Sequence, residues 1–355
     1  MSKQYQIAVF GGDGIGPEVT REALRALAVT AERFGFSYET KEFPHGSEHY
    51  LSTGVLMPDE VIDEMNDFDA ILLGAIGDPR VEVGLVERAV IAGLRFKLDL
   101  YINLRPIKLL SEAVCPLKGK GPDDIDMLVI RENTEDAYAG IGGQLKRGTA
   151  DEVAIQEMIY TRSGVERCIR YAFESCRKRN KNKKLTLVDK ANAIRAQDLW
   201  TRVFEEVSKE YTDIETDHAY VDAACMWMIK SPEAFDTIVT TNLFGDIITD
   251  LGAMLQGGMG VAASGNIHPG KVSMFEPIHG SAPKYKGKNT ACPVAAVAAV
   301  QMMLDFLGEQ EAAKSIDTAI EKLVADGKIH SFDARSGLSC SEFGDLICDA
   351  IRAGG

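Results

Sequence analysis

The segment from Gln6 to Glu18 reads Gln-Ile-Ala-Val-Phe-Gly-Gly-Asp-Gly-Ile-Gly-Pro-Glu and is the best guide to the class of fold. Its first five residues predict a strand, because they include the apolar run Ile7–Phe10, and the glycines after them indicate a turn. Pro17 suits the first turn of a helix, and the amphipathic pattern predicts that helix from about Pro17 to Phe34. The turn resembles a dinucleotide-binding fingerprint only loosely, because its spacing is not Gly-x-Gly-x-x-Gly, and a plain strand-to-helix turn is an equal alternative.

The same alternation of short apolar runs and amphipathic segments continues along the chain and predicts an α/β fold. The predicted strands are Ala70–Leu73, Met127–Arg131, Leu185–Val188 and Thr237–Thr240. The predicted helices nearer the C-terminus are Pro293–Leu307, Ala312–Ala325 and Cys340–Arg352. The basic run Arg177–Lys184 predicts a solvated loop. Composition alone marks no domain boundary, and no internal repeat is present.

Composition excludes several classes of protein. The chain has 355 residues, enough for two domains, with 45% hydrophobic and 26% charged residues, as in soluble globular proteins. Its net charge of −14 disfavours binding to nucleic acid or to anionic membranes. Seven scattered cysteines without a Cys-x-x-Cys pair are typical of reduced thiols. With no apparent signal peptide and no long apolar run, a cytoplasmic location is expected.

Two carboxylates in the segment Thr241–Asp250 predict a metal site. Asp246 and Asp250 are four residues apart, so a helix places them on one face among Leu, Phe and Ile residues. Such carboxylates repel each other unless a cation lies between them. Asp222, in another apolar segment, is a candidate third ligand, and an oxygen-only set suits Mg²⁺ or Mn²⁺. The alternative is an ordinary helix with a capping Asp and an exposed Asp.

Cationic side chains next to apolar runs predict an anionic substrate. Arg105 and Arg131 both follow such runs, where an unpaired guanidinium is costly, and Arg95 is a third candidate. Because Arg binds carboxylates through two parallel hydrogen bonds, the three suggest a di- or tricarboxylate substrate. Lys190 follows a predicted strand and is a candidate general base, although a surface lysine is the commoner case. The loop Phe275–Pro283 has small residues that allow close approach of a phosphate or ring, or it is a plain surface loop.

Taken together, the motifs resemble those of the β-decarboxylating dehydrogenases, the isocitrate/isopropylmalate dehydrogenase family, over nearly the whole chain. The matching motifs are Gly12–Pro17, Asn103–Pro106, Arg131–Glu135, Asp189–Asn192, Asn242–Asp250 and Glu276–Pro283. The resemblance implies a fold of two α/β lobes around a central cleft. The nucleotide-binding domain would comprise residues 1–100 and 255–355, and the substrate, metal and dimerisation domain residues 101–254. It also implies a homodimer with shared active sites.

The resemblance assigns a role to each candidate residue. Arg95, Arg105 and Arg131 would hold substrate carboxylates. Asp246 and Asp250 would bind the metal ion, with Asp222 from the partner subunit also near the substrate. Lys190, again from the partner, would be the base for the substrate hydroxyl, and Tyr138 the acid that protonates carbon after decarboxylation. The implied cofactor contacts are Glu87, Asn192, Glu276, His279, Gly280, Ser281, Ala282, Lys284 and Tyr285.

Substrate choice in this family depends on the helix before Arg95. Where isocitrate enzymes have Ser and Asn, this chain has Ala89 and Ile91. Val90, Ile91 and Leu94 would form an apolar wall that cannot pair a carboxylate. Burying an isopropyl group there would contribute about 1.5–3 kcal/mol. The expected reaction is oxidative decarboxylation of 3-isopropylmalate to 4-methyl-2-oxopentanoate in leucine biosynthesis. Packing of the helix is the alternative for the apolar positions, and D-malate or tartrate is the alternative substrate.

The cofactor motif departs from the NAD-dependent pattern. NAD-dependent members have Asp after Gly-Ser-Ala-Pro, whereas this chain has Lys284-Tyr285, as in NADP-dependent isocitrate enzymes. Arg335 could add a second cation, and Cys292 replaces the usual Asn. These differences favour NADP or dual use, with a solvated Lys284 as the alternative. A non-catalytic regulatory subunit is disfavoured, because Tyr138 and Lys190 are present with all three metal-site Asp residues.

Overall fold

The computed structural model describes residues 3–333 and 335–354. The strands are β1 (Gln4–Gly12), β2 (Ser37–Glu42), β3 (Ala70–Ala75), β4 (Ile102–Lys108), β5 (Asp126–Glu132), β6 (Gly142–Leu145), β7 (Val153–Gln156), β8 (Lys184–Asp189), β9 (Glu215–Tyr220), β10 (Thr237–Thr240), β11 (Ala263–Ile267) and β12 (Ser273–Pro277). The helices are α1 (Gly16–Phe34), α2 (Ser47–Thr53), α3 (Asp59–Glu64), α4 (Leu85–Glu87), α5 (Gly93–Lys97), α6 (Arg162–Arg179), α7 (Asp198–Ser208), α8 (Val221–Lys230), α9 (Asn242–Leu255), α10 (Val294–Phe306), α11 (Gln310–Ala325) and α12 (Cys340–Ala353). The architecture is mixed α/β, as predicted.

The chain divides into two compact units. The first comprises Met1–Leu100, Lys108–Pro122 and Ala253–Gly355, and the second comprises Tyr101–Ile107 and Asp123–Gly252. The domain division expected from the family resemblance differs at two places. The expected division assigned residues 108–122 to the second domain. It also ended that domain at residue 254, whereas the second unit ends at Gly252.

In the first unit, the strand order is β2-β1-β3-β12-β11. β1 pairs in parallel with β2 and β3, β12 is parallel to β3, and β11 is antiparallel to β12. Every residue of β3 is buried, which explains its continuous apolar run. Helices α1, α10, α11 and α12 pack against one another, and α10 is the most completely buried of them.

The glycine-rich turn after β1 is fixed by close packing within the first unit. Gly12 and Gly14 have φ values of 74° and 57°. A Cβ atom would lie 2.0 Å from the Ala75 carbonyl oxygen at Gly12, and 1.9 Å from the Ser281 carbonyl oxygen at Gly14. Glycine is therefore required at both positions by the backbone and by its neighbours.

In the second unit, the strand order is β4-β5-β10-β8-β9, and β5, β10, β8 and β9 are parallel. Thr240 aligns with Arg131 on β5 and with Val188 on β8. The chain therefore leaves these three strands at one edge of the sheet. In parallel α/β sheets the carboxyl edge is where ligands bind, and the segments after β5, β8 and β10 carry Tyr138, Lys190 and Asp246.

The predicted strands and helices all occur, with ends that differ by a few residues. The prediction of a loop over Arg177–Lys184 was wrong at both ends, because Arg177–Arg179 form the last turn of α6 and Lys184 begins β8. Their basic side chains pair with acidic groups, which stabilises these ends: Arg179 with Asp126 and Asp236, and Lys184 with Asp217.

No helix in the described residues is both long and apolar enough to cross a membrane.

Candidate active site

Helix α9 presents the two predicted metal ligands beside Arg105. The guanidinium nitrogens of Arg105 lie 3.6 Å from Asp246 Oδ1 and 3.7 Å from Asp250 Oδ1. Arg105 is nearly buried and also donates to Asn103 Oδ1 (2.6 Å) and Thr249 Oγ1 (2.6 Å). Both carboxylates are partly exposed, so one end of each pair is open to a ligand. The i, i+4 spacing of the sequence thus produces the shared face that it predicted.

Arg131 and Tyr138 converge on the first of these carboxylates. Arg131 is buried and donates from Nη1 to Asp246 Oδ1 at 2.5 Å, while Asn242 Oδ1 accepts from Arg131 Nε (3.1 Å) and Nη2 (2.8 Å). The Tyr138 hydroxyl donates to Asp246 Oδ2 at 2.9 Å, and its ring centroid lies 5.4 Å from the Arg131 guanidinium carbon. Tyr138 is 40% exposed, so the hydroxyl belongs to an accessible surface. Asp246 therefore contacts both a guanidinium and a phenol, and it would also contact any cation bound at this face.

Lys190 and Asp222 form a second pair in the same unit. Lys190 follows β8, and its Nζ lies 2.8 Å from Asp222 Oδ1, in the first turn of α8. The hydrogen bond from Lys190 lowers the pKa of Asp222. Asp222 is largely exposed. Asn192, two residues after Lys190, is also exposed.

The electrostatics of α9 suit an oxygen-bound cation. Partial burial raises the pKa of Asp250, Asp246 raises it further, and Arg105 opposes both effects. A divalent ion would favour the charged form in the same way as Arg105. Within residues 3–333 and 335–354, however, no group of three or more His, Cys, Asp or Glu side chains is arranged to hold a metal ion. Asp246 and Asp250 fit as two ligands of an incomplete set.

In the first unit, the glycine-rich turn contacts the loop that follows β12. The Ile15 amide donates to the Ser281 carbonyl oxygen (2.8 Å), and Ser281 Oγ donates to the Gly77 carbonyl oxygen (2.5 Å). Ala282 has a left-handed backbone, with φ 40°, which is strained for a residue with a Cβ. His279 Nδ1 donates to the Gly280 carbonyl oxygen (3.0 Å) in the tautomer that this geometry favours, and burial lowers the His279 pKa.

His279 Nε2 is a buried acceptor that suits a ligand. It has no hydrogen-bond partner in the described part of the chain. A ribose hydroxyl or an exocyclic amine would satisfy it, which fits the adenosine site expected there. The rest of the loop is held by Glu18 in the first turn of α1, which accepts from the amides of Gly287 (2.5 Å) and Asn289 (3.0 Å). The segment after Pro283 is thus attached to helix α1, which begins at the glycine-rich turn.

Arg95 and Glu276 are partners. Arg95 Nη2 donates to Glu276 Oε1 at 3.0 Å, and the same oxygen accepts from Asn266 Nδ2 at 2.7 Å. Glu276 is buried, and its carboxylate holds the Arg95 guanidinium in place. Buried Arg95 Nε has no partner among the described residues, which leaves one donor for an anionic ligand.

The helical segment before Arg95 contains a π-helical turn, Arg88–Ala92, between α4 and α5. Such turns are rare and often occur at functional sites. Val90 is 1% exposed and belongs to the core, whereas Ile91 is partly buried against that core. For Val90 this placement favours the packing alternative over contact with substrate, so Ile91 is the remaining candidate for an apolar contact. Glu87 lies beside Gly77, whose added Cβ would be 2.9 Å from Glu87 Oε1.

The cationic group expected at the 2′-phosphate is exposed. Lys284 Nζ lies 4.8 Å from the centroid of the Tyr285 ring. Arg335 is also exposed, and its guanidinium donates twice to Asp333 Oδ2, at 2.8 and 2.5 Å. Burial raises the pKa of the Cys292 thiol to about 12, so Cys292 is a neutral, buried side chain.

Comparison with known proteins identifies the family. The model for the family described as "Isocitrate/isopropylmalate dehydrogenase" matches residues 6–347.

The chain belongs to the isocitrate/isopropylmalate dehydrogenase family.

Similar proteins of this family include 3-isopropylmalate dehydrogenases and an isocitrate dehydrogenase. The chain is 49% identical over 322 residues to a protein from Thermobifida fusca named 3-isopropylmalate dehydrogenase, covering 90% of this chain and 91% of that one. It is 47% identical to the protein of the same name from Frankia casuarinae, covering 90% and 93%. The crystal structure of isocitrate dehydrogenase from Methylococcus capsulatus has a TM-score of 0.88 at 34% identity, covering 98% of this chain and 99% of that one.

Sequence reasoning missed several residues of the site that this family member carries. Asn242 and Thr249 lie inside the quoted Thr241–Asp250 segment, so their position there was an available signal. No local pattern marks Asp136, Tyr160 or Gln197, because each is an isolated polar residue whose hydrogen-bond partners come from other elements.

Proposed function

We propose that this chain is a metal-dependent 3-isopropylmalate dehydrogenase, which oxidises and decarboxylates its substrate to 4-methyl-2-oxopentanoate while reducing NAD or NADP. The observation that carries the proposal is the identity of 45–49% over at least 90% of the chain to relatives with that name. The arrangement of Asp246, Arg131 and Tyr138 supports it, because a dicarboxylate substrate needs cationic groups beside a proton donor.

The roles of the chain's own residues follow from their chemistry. Arg105 and Arg131 hold the substrate carboxylates and stabilise the enolate that forms when CO₂ leaves. Lys190 would accept the proton of the substrate hydroxyl, and a bound NAD or NADP would supply the hydride acceptor. Tyr138 then donates its phenolic proton to the carbon that lost CO₂. Asp246 and Asp250, with Asp222 from a second subunit, would hold Mg²⁺ or Mn²⁺, which supplies charge stabilisation at the hydroxyl and keto oxygen.

D-malate or tartrate is the second candidate substrate, and the placement of Val90 favours keeping it. With Val90 and Leu94 in the core, the apolar wall is reduced to Ile91. A single partly exposed Ile discriminates less strongly for an isopropyl group than two apolar side chains would.

Initial rates of nicotinamide reduction test the proposed function. With Mg²⁺ or Mn²⁺ present, 3-isopropylmalate should give the highest kcat/KM in a comparison with D-malate, tartrate and isocitrate. Dominance of D-malate or tartrate would transfer the assignment to the alternative. Absence of turnover with all four would contradict both and revive the non-catalytic regulatory subunit.

The cofactor part of the proposal is a preference for NADP or use of both dinucleotides. Lys284 is exposed beside Tyr285 and close to the basic residues Lys286 and Lys288. A 2′-phosphate would meet positive charge there, whereas the Asp found in NAD-dependent members would repel it.

Lys284→Asp should shift the preference towards NAD. We expect the ratio of kcat/KM for NADP to that for NAD to fall by about 10-fold or more, equivalent to about 1.4 kcal/mol. The matched control is Lys288→Asp, which makes the same charge change at another exposed lysine of the loop. Equal ratios for wild type, variant and control would remove Lys284 from cofactor recognition.

A homodimer with shared active sites is the last part of the proposal. The face formed by α8 and α9 exposes Met226, Trp227, Ile229 and Ile247, beside a groove of about 660 Å³. Such a contiguous apolar surface is typical of an obligate interface. Asp222 is on helix α8 as well and is 67% exposed, which supports a second copy of the chain as the occupant of this face.

A cytoplasmic location is proposed as well, supported by seven free cysteines.

A further inference from the structure

A buried chain of hydrogen bonds in the second unit runs behind the proposed catalytic residues. It consists of Asp136, Tyr160 and Gln197, none of which has a role in the proposed chemistry. Asp136 and Gln197 are fully buried, and Tyr160 is partly buried between them. Its two ends are backbone amides of the segments that carry the metal ligands and the general base.

Asp136 forms the first end. It has a left-handed backbone with φ 69°, and its own amide donates to the Ile159 carbonyl oxygen at 2.9 Å. Its Oδ2 accepts from the Leu243 amide (2.9 Å), in the first turn of α9. Its Oδ1 accepts from the Ala137 amide (2.8 Å), one residue before Tyr138. The carboxylate thus joins the turn of Tyr138 to the start of the helix that bears Asp246.

Tyr160 and Gln197 form the rest of the chain. The Tyr160 hydroxyl donates to Asp136 Oδ1 at 2.8 Å and accepts from Gln197 Nε2 at 2.7 Å. Gln197 Oε1 then accepts from the Lys190 amide at 2.6 Å. Burial and Asp136 raise the pKa of Tyr160, so the hydroxyl keeps its proton and remains a donor to Asp136.

We propose that Asp136, Tyr160 and Gln197 are positioning residues that fix the backbone of Lys190, the start of α9 and the turn of Tyr138 relative to one another. This inference rests on the proposed function, because the three fixed segments matter through the roles proposed for Lys190, Asp246 and Tyr138. The residues do not touch the reacting atoms; they act through the backbone of those that do.

The cost of this arrangement supports a positioning role. Asp136 loses hydration as a buried carboxylate, and its left-handed backbone is less favourable for a residue with a Cβ atom than for glycine. An apolar residue at position 136 would avoid the loss of hydration, and a glycine would avoid the backbone strain. A fully satisfied polar chain instead specifies one geometry, since each hydrogen bond has a narrow range of lengths and angles. Reactive groups displaced by about 1 Å can lose 100-fold in rate.

Tyr160→Phe is the first test, because it keeps the ring and removes only the central hydroxyl. We expect kcat for 3-isopropylmalate to fall about 10- to 100-fold, with KM values for substrate and dinucleotide within about twofold of wild type. Tyr5→Phe is the matched control, since it removes a Tyr hydroxyl that donates to a carboxylate, Glu309, in the first unit (2.6 Å). An unchanged kcat for Tyr160→Phe, or a fall equal to that of the control, would overturn the proposal.

Variants at the two ends separate positioning from general destabilisation. Asp136→Gly relieves the strain and removes all acceptors, whereas Asp136→Asn tolerates the left-handed backbone and keeps one acceptor oxygen. Partial rescue of kcat by Asn relative to Gly is expected. Tyr160→Phe combined with Gln197→Met should lower kcat by less than the product of the single effects, because both break one chain. Multiplicative effects would contradict a connected chain.

Amide hydrogen exchange of the full-length protein tests the chain without reference to any reaction. In Tyr160→Phe, exchange should accelerate in peptides that contain Lys190 and Leu243, and stay unchanged in β12. Unchanged exchange at both amides would overturn the proposal. Failure of the proposed function would look different: wild type would turn over none of the four acids, while the change in exchange would remain.

Discussion

Replacing Asp246 with Asn is expected to lower kcat/KM by about 10²- to 10³-fold, the size of effect found when one preorganised hydrogen-bonding group is removed from an active site. The substitution keeps the shape of the side chain and removes its charge. Arg131 Nη1 and the Tyr138 hydroxyl both donate to this carboxylate, at 2.5 and 2.9 Å. The variant therefore weakens the proposed metal site and misplaces the proposed proton donor together.

The fold should survive this substitution. Asn can still accept from Arg131 through Oδ1, and the Asp246 side chain is 39% exposed, so no buried charge loses its only acceptor. We expect a melting temperature close to wild type and a higher Mg²⁺ or Mn²⁺ concentration for half-maximal rate.

Asp198→Asn is the control, since Asp198 also pairs with an arginine on a helix of the second unit, Arg202 at 2.7 Å. It should have wild-type rates. An Asp246→Asn enzyme within about threefold of wild type, a change below 1 kcal/mol, would show that Asp246 is not in the active site.

Replacing Lys190 with Ala is expected to lower kcat by about 10²- to 10⁴-fold, the range for removing a general acid or base. The change leaves Arg105, Arg131, Asp246 and Asp250 in place and removes only the ion-pair partner of Asp222, so KM should change less than kcat. Initial rates at saturating substrate, with and without added small amines, measure the effect. Partial restoration by an amine would support a proton-transfer role.

Lys184→Ala provides a closely matched control. Lys184 begins β8, the strand that Lys190 directly follows. Its side chain is 23% exposed like that of Lys190, and it pairs with an aspartate at the same distance of 2.8 Å. A surface ion pair of this kind contributes little to stability, so the control should keep wild-type kcat. If both lysine variants had equal rates, the role of Lys190 as base would be wrong.

The same two variants test whether active sites are shared. If Lys190 of one subunit serves the Asp246 of another, a heterodimer of Lys190→Ala and Asp246→Asn subunits has one intact site. Random reassociation of equal amounts would then restore roughly a quarter of wild-type activity. Recovery no greater than the sum of the parents would place both residues in one subunit's site and contradict the shared arrangement.

The sequence alone predicted the α/β class and several of the side chains that the second unit brings together in the candidate site. Asp246 and Asp250 were predictable because a helix with 3.6 residues per turn places i and i+4 side chains on one face wherever it forms. Arg105 and Arg131 were predictable because a guanidinium beside an apolar run needs an anionic partner. These inferences depend on local spacing and on the cost of burial, which are properties of the chain itself.

Other features depended on contacts between residues distant in sequence. The apolar run Val90-Ile91 is equally compatible with a pocket wall and with a core, and the structure places Val90 in the same core cluster as Phe10 and Met65. Glu276 reads as a cofactor contact in its motif, yet in the structure it accepts from Arg95, 181 residues away along the chain.

The sequence by itself determined which chemical groups this protein has and which of them share a helix face or follow a strand, because those properties are local. Only the tertiary structure decided that a strained Asp136, Tyr160 and Gln197 connect the start of α9 to Lys190. Those partners lie 37 and 107 residues apart, and each has ordinary local sequence. Hydrogen bonds over such separations form only when the sheet brings the strand ends together, so no periodicity or motif in the chain encodes them visibly.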